Sequence, residues 1–263
     1  MADLRGKTAL VTGASSGLGR EFAIQLAGMG AELLLTARRE DRLDALGREI
    51  PDRFGVAVTT VRLDLTDGGA PEALFEVTEG RGQPVDVLVN NAGFATLAPF
   101  LDIPLDRTAD QLRLNVIALS ELTWRFGRAM RTRGGGHILN VASFAGFTPV
   151  PYFATYAAGK AYVRSLSEAA AHELAPDGVR ICALCPGGVA TEFWEVASEG
   201  GAGGGVQTSL ARPEAVVAAG LRGLFDGRAS VLPGVLNQLN AFIMRFLPRG
   251  FLVRMTGKVM ARR

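Results

Sequence analysis

Short apolar runs alternate with longer helix-like stretches along this chain, and that alternation constrains its fold more than any other feature. The runs, rich in Val, Leu and Ile, are KTALVT (7–12), AELLLTA (31–37), VAVTTVRL (56–63), VDVLVN (85–90), GHILNVA (136–142) and VRICALC (179–185). Between most of them apolar residues recur three and four apart, as Phe22, Leu26 and Met29 do early and Leu166, Ala169, Ala170 and Leu174 do late. Strands that alternate with helices fold as βαβ units, with the strands parallel and the sheet covered on both faces. Nearly continuous apolar strands fit burial on both sides. The expectation is a single α/β domain over all 263 residues, a doubly wound, mostly parallel sheet with helices on both faces. At 48% hydrophobic residues, the chain can fill such a core.

The totals exclude several other classes. A formal charge of +2 gives no basis for a nucleic-acid partner. No apolar run approaches the ~18 uncharged residues of a spanning helix. The N-terminal MADLRGKTALVTG carries too short an apolar run for a signal peptide, so the expected location is cytoplasmic. Cys182 and Cys185 have the spacing of a redox pair, but they fall on a strand-like run. Residues three apart on a strand point to opposite faces, so their sulfurs should diverge. His137 and His172 are the only histidines, and no metal site is expected.

The first run leads directly into Thr12-Gly13-Ala14-Ser15-Ser16-Gly17-Leu18-Gly19, followed by a helical pattern. Glycines at such a corner permit a tight turn and let the backbone approach a pyrophosphate. The helix N-terminus then offers unpaired N–H groups and its positive dipole end. The end of the second strand normally reads the ribose: an acid there binds the 2′-hydroxyl of NAD, and an arginine accommodates the 2′-phosphate of NADP. Here the run ends Thr36-Ala37-Arg38-Arg39, with Glu40 and Asp41 later, at a helix start. Arg38 and Arg39 therefore favour NADP(H) over NAD(H), through bidentate pairing with phosphate. The alternative is a solvated arginine pair.

All three tyrosines, Tyr152, Tyr156 and Tyr162, lie in PYFATYAAGKAY (151–162). Tyr156 and Lys160 are four apart at the start of a helical pattern, hence on one face. A tyrosine, with a pKa ordinarily near 10, works poorly as an acid–base group at neutral pH, and a nearby ammonium lowers that value. Tyr162 lies about 240° around the same helix and should meet packing or a subunit contact. Tyr152, before the helix, is expected to line a substrate cleft.

Taken together these residues resemble the short-chain dehydrogenase/reductase family. TGASSGLG (12–19) is similar to its cofactor loop and Asn90-Asn91-Ala92-Gly93 to its strand-four motif. Asn115 falls where the family has a catalytic helix asparagine. Ser143 stands thirteen residues before Tyr156, which pairs with Lys160, and Pro186-Gly187-Gly188-Val189-Ala190-Thr191 is similar to its PGxxxT segment. The motifs run from residue 7 to about 195, and the last seventy residues lie where the family varies.

The resemblance implies a Rossmann-type fold and a set of roles. Tyr156 exchanges a proton with the substrate oxygen, and Ser143 polarises that oxygen. Lys160 lowers the tyrosine pKa and binds the nicotinamide ribose; Asn115 holds a water in a proton relay. Gly13, Ser15, Ser16, Gly17, Leu18, Gly19, Asp64, Leu65, Asn91, Ala92, Gly93, Pro186, Gly187, Val189 and Thr191 bind cofactor, with Asp64 at the adenine and Thr191 at the carboxamide. Singly, Ser143 could be a turn cap, Asn115 a polar helix residue and Asp64 a cap of the next segment. The resemblance also implies a homodimer or homotetramer built on the long central helices.

The residues expected to face substrate are apolar: Phe94, Phe144, Phe147, Pro149, Tyr152, Phe153, Phe193 and Trp194. Such a pocket suits a hydrophobic carbonyl. The glycine-rich EGGAGGGVQTS (199–209), within a substrate loop over 190–212, could act as a lid. From Leu236 to Arg263, inside an amphipathic extension over 234–263, the chain has six Lys or Arg and no acid. Leu236, Leu239, Phe242, Ile243, Phe246 and Leu247 form an apolar helical stripe, broken at Pro248. This tail could lie on an anionic membrane, dock an acidic carrier protein or subunit, or simply pack over the cleft. The leading functional reading is an NADP(H) oxidoreductase that interconverts a hydrophobic ketone and its secondary alcohol. The alternatives are a 3-oxoacyl reductase acting on carrier- or CoA-linked chains and a dinucleotide sensor without catalysis.

Overall fold

Each of the six apolar runs becomes a strand. In the computed structural model, which describes residues 2–197 and 210–261, the order begins β1 (Thr8–Thr12), α1 (Gly17–Gly28), β2 (Glu32–Ala37), α2 (Glu40–Phe54), β3 (Val58–Arg62), α3 (Ala70–Glu76) and β4 (Val87–Asn90). It continues with α4 (Leu105–Leu112), α5 (Leu119–Thr132), β5 (Gly136–Val141), α6 (Ala154–Leu174), β6 (Val179–Leu184) and α7 (Phe193–Ala197). The last elements are α8 (Pro213–Phe225), β7 (Ser230–Val231), α9 (Val235–Met244) and α10 (Arg249–Ala261). A π-helical segment, Arg113–Ala118, joins α4 to α5. The glycine-rich stretch read as a lid lies outside the described residues.

The strands form one sheet in the order β3-β2-β1-β4-β5-β6-β7, and every pairing is parallel. β7 has no counterpart among the apolar runs. It is a two-residue edge, Ser230 opposite Ala183 and Val231 opposite Leu184, too short to leave a periodic signal. The chain fills one side of β1 with β2 and β3, then crosses to place β4 on the other. That reversal opens a crevice at the strands' carboxyl ends.

Side-chain alternation splits the core into layers. Val11, Leu35 and Val89 pack with Phe22, Leu26, Leu43, Ile50 and Leu221 of α1, α2 and α8. Their neighbours Leu10, Leu34 and Leu88 point the other way, towards Leu74, Leu122, Phe126 and Met130 of α3 and α5. Cys182 belongs to the first layer, whereas Cys185 packs with Leu119 and Val163. Both thiols are free, and burial pushes each up to about 12, which leaves them unreactive.

A polar chain crosses this apolar interior. Asn90 Nδ2 donates to Asn140 Oδ1 (2.9 Å) and to Thr123 Oγ1 (3.1 Å), and Asn140 Nδ2 donates to Ser167 Oγ (3.0 Å). All four residues are buried. The bonds tie β4, β5, α5 and α6 together, which fixes the depth at which α6 meets the sheet. In the tail, α9 and α10 are interrupted at Arg245–Pro248, since proline supplies no N–H to continue a helix. Among the described residues no helix is long and apolar enough to cross a membrane.

Candidate active site

The loop after β1 is shaped by close backbone approach. Gly13 (φ 66°) and Gly17 (φ 54°) adopt left-handed conformations that side-chain-bearing residues rarely take. A Cβ on Gly19 would collide with the Gly13 carbonyl oxygen and come within 2.6 Å of Asn91 Nδ2. Asn91 Nδ2 donates to the carbonyls of Thr12 (2.9 Å) and Gly13 (3.2 Å), while Thr12 Oγ1 accepts from the N–H groups of Asn91 and Ala92 (3.0 Å each). The corners after β1 and β4 are thus sewn into one surface. Ser16 stands at the N-cap of α1 without capping it, so the first-turn N–H groups keep no side-chain partner from that position. Its Oγ instead accepts from Arg39 Nη2 at 2.6 Å. Uncapped N–H groups, a glycine corner and an arginine laid across it fit a dinucleotide phosphate.

These elements open on a cleft of about 680 Å³. It is lined by Gly13, Ser15, Ser16, Gly17, Leu18, Arg38, Arg39, Asp64, Leu65, Asn91, Ala92, Gly93, Pro186, Gly187, Val189 and Thr191. Gly19 lies behind this surface, where it permits the Gly13–Asn91 contact. Arg38 Nη1 is 3.6 Å from Asp64 Oδ2. Asp64 Oδ1 accepts from the N–H and hydroxyl of Thr66 (3.0 and 2.8 Å), the local turn that was its alternative reading. Burial raises the Asp64 pKa, but the Thr66 bonds and the Arg38 charge outweigh it, leaving the carboxyl below its ordinary value.

At the other end of the cleft, α6 presents Tyr156 and Lys160 one turn apart, both buried (7% and 4% exposed). Ser143, just beyond β5, accepts from Ala145 N–H at 3.1 Å and lines the cleft with Tyr156, near enough to lower the phenol's pKa. Lys160 Nζ donates to the Val141 carbonyl at 2.6 Å and lies 5.6 Å from the Tyr156 ring centre. This alters the expected electrostatics. Burial pushes the Tyr156 phenol up to about 12, and the Ser143 hydroxyl opposes that only in part. Burial brings Lys160 down to about 8. In this state the lysine does not depress the tyrosine pKa. Its ammonium is committed to Val141, and desolvation of the phenol dominates.

Asn115 is held by backbone contacts close to this pair. It lies in the π-helical segment and outside the cleft lining, buried, with Nδ2 donating to Phe94 O (2.7 Å) and Oδ1 accepting from Phe94 N–H (3.1 Å). Its side chain clamps the Gly93–Phe94 corner, where a Cβ on Gly93 would come within 2.8 Å of Asn115 Oδ1.

Phe94, Phe144, Phe153, Phe193 and Trp194 line the cleft, with Phe153 4.6 Å and Phe193 5.5 Å from the Tyr156 ring, centre to centre. Phe147 and Tyr152 do not line it, contrary to their assignment to the substrate. Phe147 stacks between Phe144 and the Arg164 guanidinium (4.1 Å) on the α6 side. Tyr152, the one non-glycine residue with positive φ (64°) among the described residues, is 36% exposed. Pro149 is likewise outside the lining, which its neighbours Thr148 and Val150 join. Tyr162 is exposed, and its hydroxyl lies 3.1 Å from Ser120 Oγ.

Several contributors had no readable signal. Asn237 and Met244 of α9 and Thr256 and Met260 of α10 close the cleft from the tail. Glu192 binds Arg39 (3.1 Å) and Arg42 (2.8 Å), tying the segment after β6 to the start of α2. Only a lone acid beside Thr191 hinted at that bridge.

Comparison with known proteins agrees with this geometry. The family model described as short chain dehydrogenase matches residues 7–201. A very-long-chain 3-oxoacyl-CoA reductase of Pyrenophora tritici-repentis is 37% identical over 186 residues, covering 67% of this chain and 53% of that protein. The chain spans about half the length of the curated relatives it matches first. A short-chain dehydrogenase from Sphingobium yanoikuyae, solved with NADPH, is 30% identical with a TM-score of 0.82, covering 92% of this chain and 96% of that one. A short-chain dehydrogenase/reductase from Burkholderia phymatum, solved with NAD, is 25% identical with a TM-score of 0.83, covering 92% and 94%.

Two outcomes follow from the buried pair. Tyr156→Phe removes the phenolic proton and should nearly abolish ketone turnover while NADPH binding, read by fluorescence titration, stays within about threefold; general acid catalysis contributes ~10²–10⁴-fold. Substantial residual turnover would refute the acid role. Lys160 is cationic below its pKa of about 8 and neutral above it. If the charged lysine holds the nicotinamide ribose, as the family resemblance implies, kcat/KM should decline as pH rises through about 8, and a profile flat to pH 10 would contradict that role.

Proposed function

The chain belongs to the short-chain dehydrogenase/reductase family, and on that premise we propose that it is an NADP(H)-dependent reductase of hydrophobic ketones. One observation carries the reading: a phenol held protonated by burial, with the Ser143 hydroxyl beside it, in a cleft walled by aromatic side chains. Two hydroxyl groups converge where a carbonyl oxygen would accept both. The Tyr156 proton moves to that oxygen as it gains charge, and Ser143 stabilises the charge before transfer. The bound nicotinamide supplies or accepts the hydride. A phenol with pKa about 12 is in the donating form at neutral pH, the form that carbonyl reduction uses.

Preference for NADP(H) is supported by Arg38 and Arg39 at the end of β2, both lining the cleft with no acid at the strand tip. Arg39 also reaches the hydroxyls of Ser15 and Ser16, which brings its guanidinium to the phosphate side of the loop. A second reading, a 3-oxoacyl thioester reductase, is favoured by the name of the 37% identical relative and by the same apolar walls.

Kinetics with a series of 3-oxoacyl thioesters, bulky aromatic ketones and small polar ketones tests the substrate class. NADPH oxidation should be faster, at equal concentration, with the larger apolar members. Turnover confined to small polar carbonyls would overturn the apolar-pocket reading, and thioesters alone among the apolar set would select the second. Arg38→Ala combined with Arg39→Ala should weaken NADPH by about tenfold or more while barely changing NADH, since a charge-assisted hydrogen bond contributes roughly 1.5–3 kcal/mol. Equal weakening of both cofactors would show that neither arginine reads the 2′-phosphate.

A further inference from the structure

We propose that the outward face of α9, with the basic surface of α10 beside it in sequence, docks this protein onto an anionic lipid surface. α9 has two opposed sides. Ala241 is buried, and Asn237 and Met244 line the cleft. Val235, Leu236, Leu239, Phe242, Ile243 and Phe246, the last just beyond the helix, occupy the opposite arc, about 120° wide at 100° per residue. All six are exposed, Leu236 at 75% and Phe246 at 73%. Exposed apolar residues scattered singly are ordinary, whereas six large ones along about three turns form a contiguous patch that water solvates poorly.

The charge around this patch selects the occupant. Arg245, Arg249, Arg254 and Lys258 are exposed, and no Asp or Glu occurs after Asp226. α10 adds exposed Phe251 beside Arg254 and Lys258. An apolar stripe edged only by cations matches an interface where acyl chains lie beneath anionic headgroups. A second copy matches poorly, because a twofold contact would set these cations against their own equivalents with no carboxylate from the segment to pair them. Spanning is excluded by length: ten residues at 1.5 Å each reach ~15 Å, half of a ~30 Å hydrocarbon core. Since α9 is also a wall of the cleft, docking would let an apolar substrate reach Tyr156 from the bilayer. That consequence, unlike the docking, rests on the substrate reading above.

Sedimentation of the full chain with vesicles tests the docking, without substrate or cofactor, so that it fails or stands apart from activity. The vesicles are phosphatidylcholine alone or with about one-third phosphatidylserine. The protein should bind the anionic vesicles about tenfold more strongly than the neutral ones, and the difference should shrink as salt is raised. The combined variant Leu239→Ser, Phe242→Ser, Phe246→Ser should lose binding to both. Arg245→Glu with Arg249→Glu and Arg254→Glu should lose the anionic preference. All six positions are exposed, so the melting temperature should stay near that of the parent. The proposal is overturned if the parent protein binds neither vesicle, if it binds both equally, or if the serine variant binds as the parent does. It is also overturned if the serine variant turns a dimeric parent into a monomer, which would assign the face to a second copy.

Discussion

Parallel pairing throughout the sheet is the constraint on which everything else depends. It sends the carboxyl ends of β1 to β6 to one edge, so residues far apart in the chain leave the sheet side by side. Gly13, Arg38, Asp64, Asn91, Ser143 and Pro186 follow six different strands and meet around one cleft. The crossover between β3 and β4 leaves the gap between the ends of β1 and β4, and the Thr12–Asn91 hydrogen bonds close its floor. The glycines at 13 and 19 are consequences of that closure, since side chains there would separate the two corners, whereas a Cβ at Gly17 would press on Thr191.

The second determinant is desolvation. Tyr156 and Lys160 sit where the helix, the end of β5 and the aromatic wall exclude water, and burial moves their pKa values apart, from 10.0 and 10.5 to about 12 and about 8. Burial favours the neutral form of each group. For the tyrosine that form is the proton donor. For the lysine it brings loss of charge close to the working pH. Lys160 Nζ remains held by the Val141 carbonyl, so its position is set by β5 and does not depend on the tyrosine.

Much of this was legible in the sequence, and what escaped has physical reasons. Strands β1, β2, β4, β5 and β6 announced themselves because a doubly covered strand must be largely apolar; β3 (VTTVR), at one edge and half exposed, was legible from its β-branched residues, and β7, two residues at the other edge, has no such signal. The glycine corner and the Tyr156–Lys160 spacing were readable because each is a local constraint within a few residues. Tyr152 escaped because the left-handed backbone angle at its position is not encoded in composition. Phe147 misled because a stack on Phe144 and Arg164 turns it towards α6. The sign of the Tyr156 shift escaped because spacing shows proximity to an ammonium but not the depth of burial, which here outweighs it. Glu192 and the tail residues on the cleft depend on contacts across more than a hundred positions, beyond what periodicity can report.

The buried lysine also shows how the site is held against its own cost. Displacement of the Lys160 pKa from 10.5 to about 8 corresponds to roughly 3 kcal/mol of destabilisation of its charged form. The sign is opposite to that of a lysine gaining an ion-pair partner. The folded state binds its proton less tightly than the unfolded chain, so the penalty is full below pH 8 and is relieved as pH rises towards 10.5. A group that destabilises the fold most strongly at neutral pH must be held by contacts made elsewhere. Those contacts are visible on α6, where Ser167 joins the buried Asn140 chain two turns beyond Lys160, and Val163 packs into the apolar cluster between them. The polar chain through the core and the charge at the active site are therefore parts of one arrangement. The first fixes α6 to the sheet firmly enough for the second to remain buried.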